Sequence, residues 1–131
     1  MVLTPDFSPI IPDVMPPCCI DAEEAVLGCL LLDGDTIDLI KHKLKPEHFY
    51  ISTYRDIYRA CLNVSKKSTV SLLTVTNYLN DRGTLQKIGG RNKLAQLFES
   101  RVSAANIDDF ATLVIEKAIR RQLIELGNKT T

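Results

Sequence analysis

The apolar residues of this 131-residue chain recur at helical spacings almost throughout, and this periodicity limits the fold more than any other feature. Residues three or four positions apart share one face of an α-helix, whereas strand residues alternate between two faces. Six segments follow the helical spacing, and only the short stretch STVSL approaches a strand pattern. The pattern therefore predicts an all-α fold, a compact bundle of about six helices.

Start and stop signals separate the predicted helices. The first occupies IDAEEAVLGCLLL, where Glu24 follows Asp21 by three residues as in a capping box. The next two cover TIDLIKHKL and STYRDIYRACLNVSKK, the fourth ends at Gly83, and the fifth follows Gly89-Gly90. The predicted N-terminal caps are Asp21, Thr36, Ser71 and, for the sixth and longest helix, Ser103 or Asn106. The first helix is apolar over so wide a face that we expect it at the centre of the bundle.

The sixth predicted helix is apolar on two faces. One face carries Ile107, Phe110, Ala111, Val114 and Ala118. The other face carries Leu113, Ile119, Leu123 and Leu126. A helix of this kind needs cover on two sides, and the bundle supplies one of them. Since the sequence also stops without a proline or a clear terminating turn, we expect a fragment, a dimer, or both.

The length of the chain fits one compact domain preceded by an arm. We expect residues 1–16 to form a flexible proline-rich arm, residues 17–102 a globular helical bundle, and residues 103–131 a long helix. No apolar run approaches the roughly 20 residues that a membrane span needs. The prolines and the missing basic region at the start also argue against a signal peptide.

The charges and the cysteines exclude several kinds of site. Sixteen Lys and Arg balance sixteen Asp and Glu, a poor footprint for a domain that mainly grips phosphates, so protein partners are favoured. The four cysteines form no CxxC motif and are not at zinc-ligand spacing from His42 or His48, so no metal site is expected. Cys29 and Cys61 read as buried apolar residues, and the adjacent Cys18 and Cys19 as free thiols of a reducing compartment.

The stretch QKIGGRNKLAQL could bind a phosphate or could simply form the turn between two helices. A P-loop needs a lysine and a hydroxyl residue directly after its glycines, and GGRNK has neither in place. We therefore interpret Gly83, Gly89 and Gly90 as structural turn residues and expect no cofactor in this chain. Three acid pairs fall at helix starts or in turns, where acids act as caps rather than catalysts, so we expect no catalytic residues. The pairs are Glu23/Glu24, Asp33/Asp35 and Asp108/Asp109.

Aromatic and basic residues offer one more candidate surface. Tyr50, Tyr54 and Tyr58 recur every four residues and could stack bases, but the same spacing favours packing in the core or at its rim. The cluster KHKLK and the pair Arg120-Arg121 are interpreted as solvated faces, although the arginine pair could also meet an acidic partner.

Taken together, four stretches resemble the N-terminal domain of the DnaB-type replicative helicases. They are PPCCIDAEEAVLGCLLLDGD, KPEHFY with YRDIYRA, VSLLTVTNYLNDRGTLQKIGG, and SAANIDDFATLVIEKAIRRQLI, in the family's order and spacing. Phe110 stands where the family commonly has Tyr, and Ser71 where Asp often caps.

The resemblance implies a specific architecture and a specific role. Such domains are all-helical, form a collar on a hexameric ring as a trimer of dimers, and receive the C-terminal domain of primase. The sixth helix would be the first arm of a dimerisation hairpin. The parent would be an ATP-dependent 5′–3′ DNA helicase, with ATP, Mg²⁺ and most DNA contacts in a separate domain. This chain, lacking a Walker A loop, should be inactive alone.

The resemblance and the two-faced helix together predict the residues of self-association. They are Leu113, Ile119, Leu123 and Leu126, with Glu116, Lys117, Arg120 and Arg121 tuning the contact. Partners would be a second copy, primase and a helicase loader, in the bacterial cytoplasm or in an organelle such as a plastid. The alternative reading is a stand-alone helical adaptor or DNA-binding module that uses Lys41, Lys43, Lys45 and the tyrosines.

Overall fold

The computed structural model describes residues 17–99 and 106–130, which contain six α-helices. The helices are α1 (Ile20–Leu32), α2 (Ile37–Ile40), α3 (Ser52–Ser65), α4 (Leu72–Asp81), α5 (Gly90–Glu99) and α6 (Ile107–Thr130). Single 3₁₀ turns lie at Gly34–Thr36, Pro46–His48 and Gln86–Ile88. These ranges contain no strand, and the all-α prediction is confirmed. The expected arm over residues 1–16 and the Ser103 cap lie outside the described residues.

Helix α1 lies at the centre of the bundle, as its wide apolar face predicts. Nine of its 13 residues are buried, and Leu27 and Leu30 have no exposed surface. It packs against α3, α5 and α6, so neighbours cover it on several sides. Full burial of side chains such as these contributes roughly 1.5–3 kcal/mol each to stability.

The start of α1 differs from the predicted capping box. The helix begins one residue before Asp21, its N-cap is Cys19, and no side chain caps it. Asp21 therefore lies inside the first turn, where its charge still favours the positive end of the helix dipole. The Glu24 carboxylate instead accepts a hydrogen bond of 2.5 Å from the Tyr54 hydroxyl. The Glu24 carboxylate thus binds a side chain of α3 instead of a backbone amide at the start of its own helix.

Two further helix ends show how side chains and glycines set the turns. Ser71 caps α4 as predicted, its Oγ accepting from the Thr74 amide at 3.2 Å. Gly83 follows α4 with φ +72°, and the Thr84 amide donates to the Leu79 carbonyl at 3.0 Å, which makes a Schellman turn.

The second helix is shorter than predicted. Helix α2 ends at Ile40, and the chain then passes through irregular turns to Pro46. Thr36 precedes α2 but does not cap it, because its hydroxyl donates backwards to the Asp33 carbonyl at 2.7 Å. Leu44 is nevertheless fully buried, so the segment is anchored by packing although it is not helical.

Candidate functional site: the distal part of α6

The first half of α6 is part of the bundle core. Ile107, Ala111, Val114 and Ala118 recur at spacings of three and four residues and are all buried. They pack α6 against α1, α2 and the Pro46–His48 turn. The inward face predicted from the sequence is therefore the face that the bundle covers.

After Ala118, α6 carries a series of large apolar side chains that nothing in the described chain covers. Ile119 is 47% exposed, Leu123 62% and Leu126 57%. Their spacings of four and three residues place them on one side of the helix. We call these three residues the distal stripe. Leu113, predicted for the same surface, is instead half-buried against the core.

One exposed apolar residue of this region, Ile124, was missed from the sequence. It is 51% exposed and flanks the distal stripe on another side of the helix. Its position did not fit either of the two predicted faces. The signal was the tetrad LIEL, in which three apolar residues fall too close together for a single face.

The four predicted charged residues of α6 divide into two groups. Glu116 and Arg120 are exposed, and Lys117 is half-buried. Arg121 points towards the bundle, where its two terminal nitrogens donate to the carbonyls of Pro17 and His48, both at 2.8 Å. Its guanidinium carbon also lies 5.3 Å from the centre of the Tyr50 ring. Arg121 therefore ties the middle of α6 to the bundle.

Members of two of the three acid pairs make tertiary contacts. Glu23 is buried, and its carboxylate accepts from the backbone amides of Tyr50 and Ile51 at 2.8 and 3.3 Å, just before α3 begins. Burial raises the pKa of Glu23 above its usual range, while these two hydrogen bonds oppose the rise. Asp108 pairs with Lys43 at 2.6 Å. These contacts tie α1 and α6 to segments that are distant in the chain.

The glycine pair lies where the chain turns from the Gln86–Ile88 turn into α5. Gly89 has φ +107° and Gly90 φ +73°, a region that side chains other than glycine rarely adopt. The Gly90 amide donates to the Leu85 carbonyl at 2.9 Å, which closes the turn. A side chain at Gly89 would also press on Lys93, with 2.8 Å between the two Cβ atoms. The pair has the geometry of a helix-to-helix turn.

The predicted tyrosines serve the core and its rim. Tyr58 is fully buried and its hydroxyl donates to the Leu44 carbonyl at 2.8 Å, while Tyr54 is buried and Tyr50 half-buried. Cys29 and Cys61 are buried, and burial raises the pKa of the Cys61 thiol to about 12. An inert thiol of this kind fits a packing role.

The described residues offer neither a metal-binding cluster nor a membrane-spanning helix. Within residues 17–99 and 106–130, no three His, Cys, Asp or Glu side chains gather closely enough to hold a metal ion. Over the same ranges, no helix has the length and apolar character of a membrane span.

The exposed distal stripe on an otherwise well-packed helical bundle can be compared with known proteins. A family model, the DnaB-like helicase N-terminal domain, matches residues 15–116. The chain belongs to this family. The resemblance seen in the four sequence stretches is thereby confirmed.

Individual relatives of this DnaB-like domain agree. This chain is 51% identical over 116 residues to the replicative DNA helicase DnaB of Nostoc sp. The match covers 88% of this chain and 13% of that protein. The chain is 38% identical over 113 residues to the replicative DNA helicase DnaC of Bacillus subtilis, covering 86% of this chain and 25% of that protein. The chain thus spans a quarter or less of these curated relatives.

Two solved structures share the fold. The N-terminal domain of DnaB helicase from Mycobacterium tuberculosis matches with a TM-score of 0.84 at 35% identity, over 88% of this chain and 84% of that one. A DnaB-like replicative helicase, whose structure describes its interactions with primase, matches with a TM-score of 0.74 at 25% identity. That match covers 85% of this chain and 26% of the helicase chain.

Proposed function

We propose that this chain is the collar portion of a ring-forming replicative DNA helicase, where it self-associates through distal α6 and recruits primase. The distal stripe carries the proposal. Three large apolar side chains, each about half exposed or more, recur on one side of a helix that is anchored to the bundle just beside them. Exposed apolar surface in a regular array is typical of a protein interface.

The occupant of the stripe is a second copy of the same region. A helix face that presents the same apolar residues at spacings of three and four can pack against its own copy, as in a two-fold helical dimer. Glu116 and Arg120 flank the stripe and supply charges of both signs at its rim, whereas Lys117 lies on the same side of α6 as Arg121. Leu113 and Arg121, predicted for the same contact, act indirectly by fixing α6 on the bundle.

Sedimentation velocity over a range of concentrations tests the self-association. Leu123→Glu places a charge in the centre of the stripe, and we expect it to weaken the dimer by about tenfold or more, because an unpaired charge is costly to bury. Leu73→Glu is the matched control, since Leu73 is 67% exposed on α4, away from the stripe. A dimer of unchanged strength in Leu123→Glu removes the assignment.

Primase recruitment is tested separately by calorimetric titration with the C-terminal domain of primase. The support is family membership together with the similar helicase whose structure describes interactions with primase. We expect saturable binding by this chain and no ATP hydrolysis, with ATP, Mg²⁺, most DNA contacts and the loader engaged by the rest of the parent helicase. If the titration shows no heat of binding and native gel electrophoresis shows no complex with primase, recruitment is contradicted. The compartment would be bacterial cytoplasm or an organelle such as a plastid.

A further inference from the structure

Three adjacent cavities lie between the end of α3, α4 and the loop after α2. Their volumes are about 460, 390 and 210 Å³. Asn63 lines all three, and Arg59, Lys66 and Arg82 each line two, so the cavities form one continuous depression. We call it the cationic groove, and the basic residues of its walls are Lys41, Lys45, Arg59, Lys66, Lys67, Arg82 and Lys87.

Positive charge is concentrated in this groove although the chain as a whole is balanced at 16 cations and 16 acids. All seven cations are exposed, and only two carboxylates, Asp56 and Asp81, line the same cavities. Arg59 is paired with Asp56 at 3.1 Å. Over the described ranges, Lys66, Lys67 and Arg82 take part in no ion pair, so their charge is available to an anion.

The groove also presents flat groups beside its cations. The Arg82 guanidinium carbon lies 4.7 Å from the centre of the Tyr78 ring. The Tyr78 hydroxyl in turn accepts a hydrogen bond of 2.9 Å from the Asn63 side-chain amide. Aromatic rings and guanidinium planes are the surfaces on which unpaired bases stack, and an amide nearby supplies polar contacts.

We propose that the cationic groove binds the phosphate backbone of a single-stranded nucleic acid. Cations spread along a depression match a chain of evenly spaced phosphates, and the Tyr78–Arg82 pair offers a stacking face that an acidic peptide would not use. A duplex is a poorer fit, because reading its grooves requires an element that protrudes from the protein. Contact of this sequence-independent kind has dissociation constants of about 10⁻⁴ to 10⁻⁶ M.

The proposal revises the sequence-based expectation about KHKLK. Lys41 and Lys45 line the groove, whereas Lys43 points to α6, where it pairs with Asp108 and donates to the Thr112 hydroxyl. The cluster is therefore split between two sides of the molecule, and the other five cations of the groove come from α3, from the turns after α3 and α4, and from the Gln86–Ile88 turn. No residue of the groove belongs to the distal stripe, so strand binding and self-association can fail independently.

Fluorescence anisotropy of labelled oligothymidylate and oligouridylate with the full chain tests the proposal. On single strands, each phosphate contact contributes about 0.7 to the slope of log affinity against log salt, which is about fivefold at about 0.1 M salt. We expect Lys66→Glu and Arg82→Glu each to weaken binding by about that factor or more and to flatten the slope. Arg91→Glu reverses one exposed charge on α5 outside the groove and should change affinity by less than about twofold.

Three results would overturn the proposal. The first is no saturable binding of either oligonucleotide at about 0.05 M salt. The second is equal weakening by Lys66→Glu and Arg91→Glu, which would show a response to net charge alone. The third is tighter binding of an oligoglutamate peptide that Lys66→Glu abolishes, which would assign the groove to an acidic protein. Repeating the titration with Leu123→Glu separates these outcomes from a failure of self-association.

Discussion

Helix α1 and the distal part of α6 have similar apolar sequences and opposite surroundings. Both carry leucine or isoleucine on more than one side. In α1, Leu27 and Leu30 have no exposed surface, whereas in α6 Leu123 is 62% exposed and Leu126 57%. The difference shows that the apolar faces of a helix indicate how much surface must be buried. They do not indicate whether the same chain or a partner buries it.

The cause of the difference is position in the bundle. Helix α1 is enclosed by α3, α5 and α6, while α6 packs mainly against α1, α2 and the turn at Pro46–His48. Arg121 ties α6 to the bundle by two hydrogen bonds, and the helix continues for nine residues beyond it. Cover for that extension comes from the second copy that we propose.

The largest expected effect comes from making the same truncation in both helices. Leu27→Ala should lower the free energy of unfolding by about 2–5 kcal/mol, because it leaves a cavity in the core. Leu123→Ala should change it by less than about 0.5 kcal/mol at concentrations where the chain is monomeric. Urea denaturation followed by circular dichroism measures both. Equal losses in the two variants would mean that distal α6 is covered within one chain.

The next effect concerns the tie between the two regions. Arg121→Ala removes two hydrogen bonds to carbonyls. We expect the free energy of unfolding to fall by roughly 1–3 kcal/mol and amide exchange in distal α6 to become faster. Arg120→Ala is the matched control, since Arg120 is exposed and neighbours Arg121 in the chain. Hydrogen exchange followed by mass spectrometry measures the amide exchange of distal α6 in both variants. Exchange that is unchanged in Arg121→Ala would show that the helix needs no such anchor.

The smallest effect tests the one buried carboxyl of α1. Because burial raises the pKa of Glu23 in the folded state, the protein should lose stability as pH rises from the ordinary pKa of glutamate through the raised value. Glu23→Gln keeps one oxygen acceptor and replaces the other with an amide nitrogen, so it retains one of the two hydrogen bonds from the Tyr50 and Ile51 amides and should remove this part of the pH dependence. Thermal unfolding across that pH window measures it, and Glu116→Gln controls for the loss of one negative charge. A Glu23→Gln curve parallel to the wild type would contradict the assignment.

Local signals sufficed for several parts of the molecule. Ser71 and Gly83 mark the ends of α4, and the capping hydroxyl and the left-handed glycine act within a few residues of their own position. Sequence spacing also predicted the central place of α1 and the inward face of α6. The groove cations were visible only as scattered residues, because the cavities join residues from three separate segments.

Other features depend on partners that are distant in the chain. Glu23 and Glu24 read as helix-start acids, but their carboxylates serve backbone amides and a hydroxyl near α3. Gly34 follows the end of α1, and a side chain there would overlap the Val70 carbonyl. Arg121 reads as a rim charge and is an internal anchor. In each case a local motif was outweighed by a long-range contact.

The sequence by itself determined the helical class, the family, and the existence of an apolar surface on α6 beyond what one bundle needs, because periodicity and short motifs are local properties. The tertiary structure decided which apolar faces are covered, which charges act as anchors, and which cations share a groove. Burial and charge clustering depend on the positions of all neighbours at once, and those positions arise only when the helices pack.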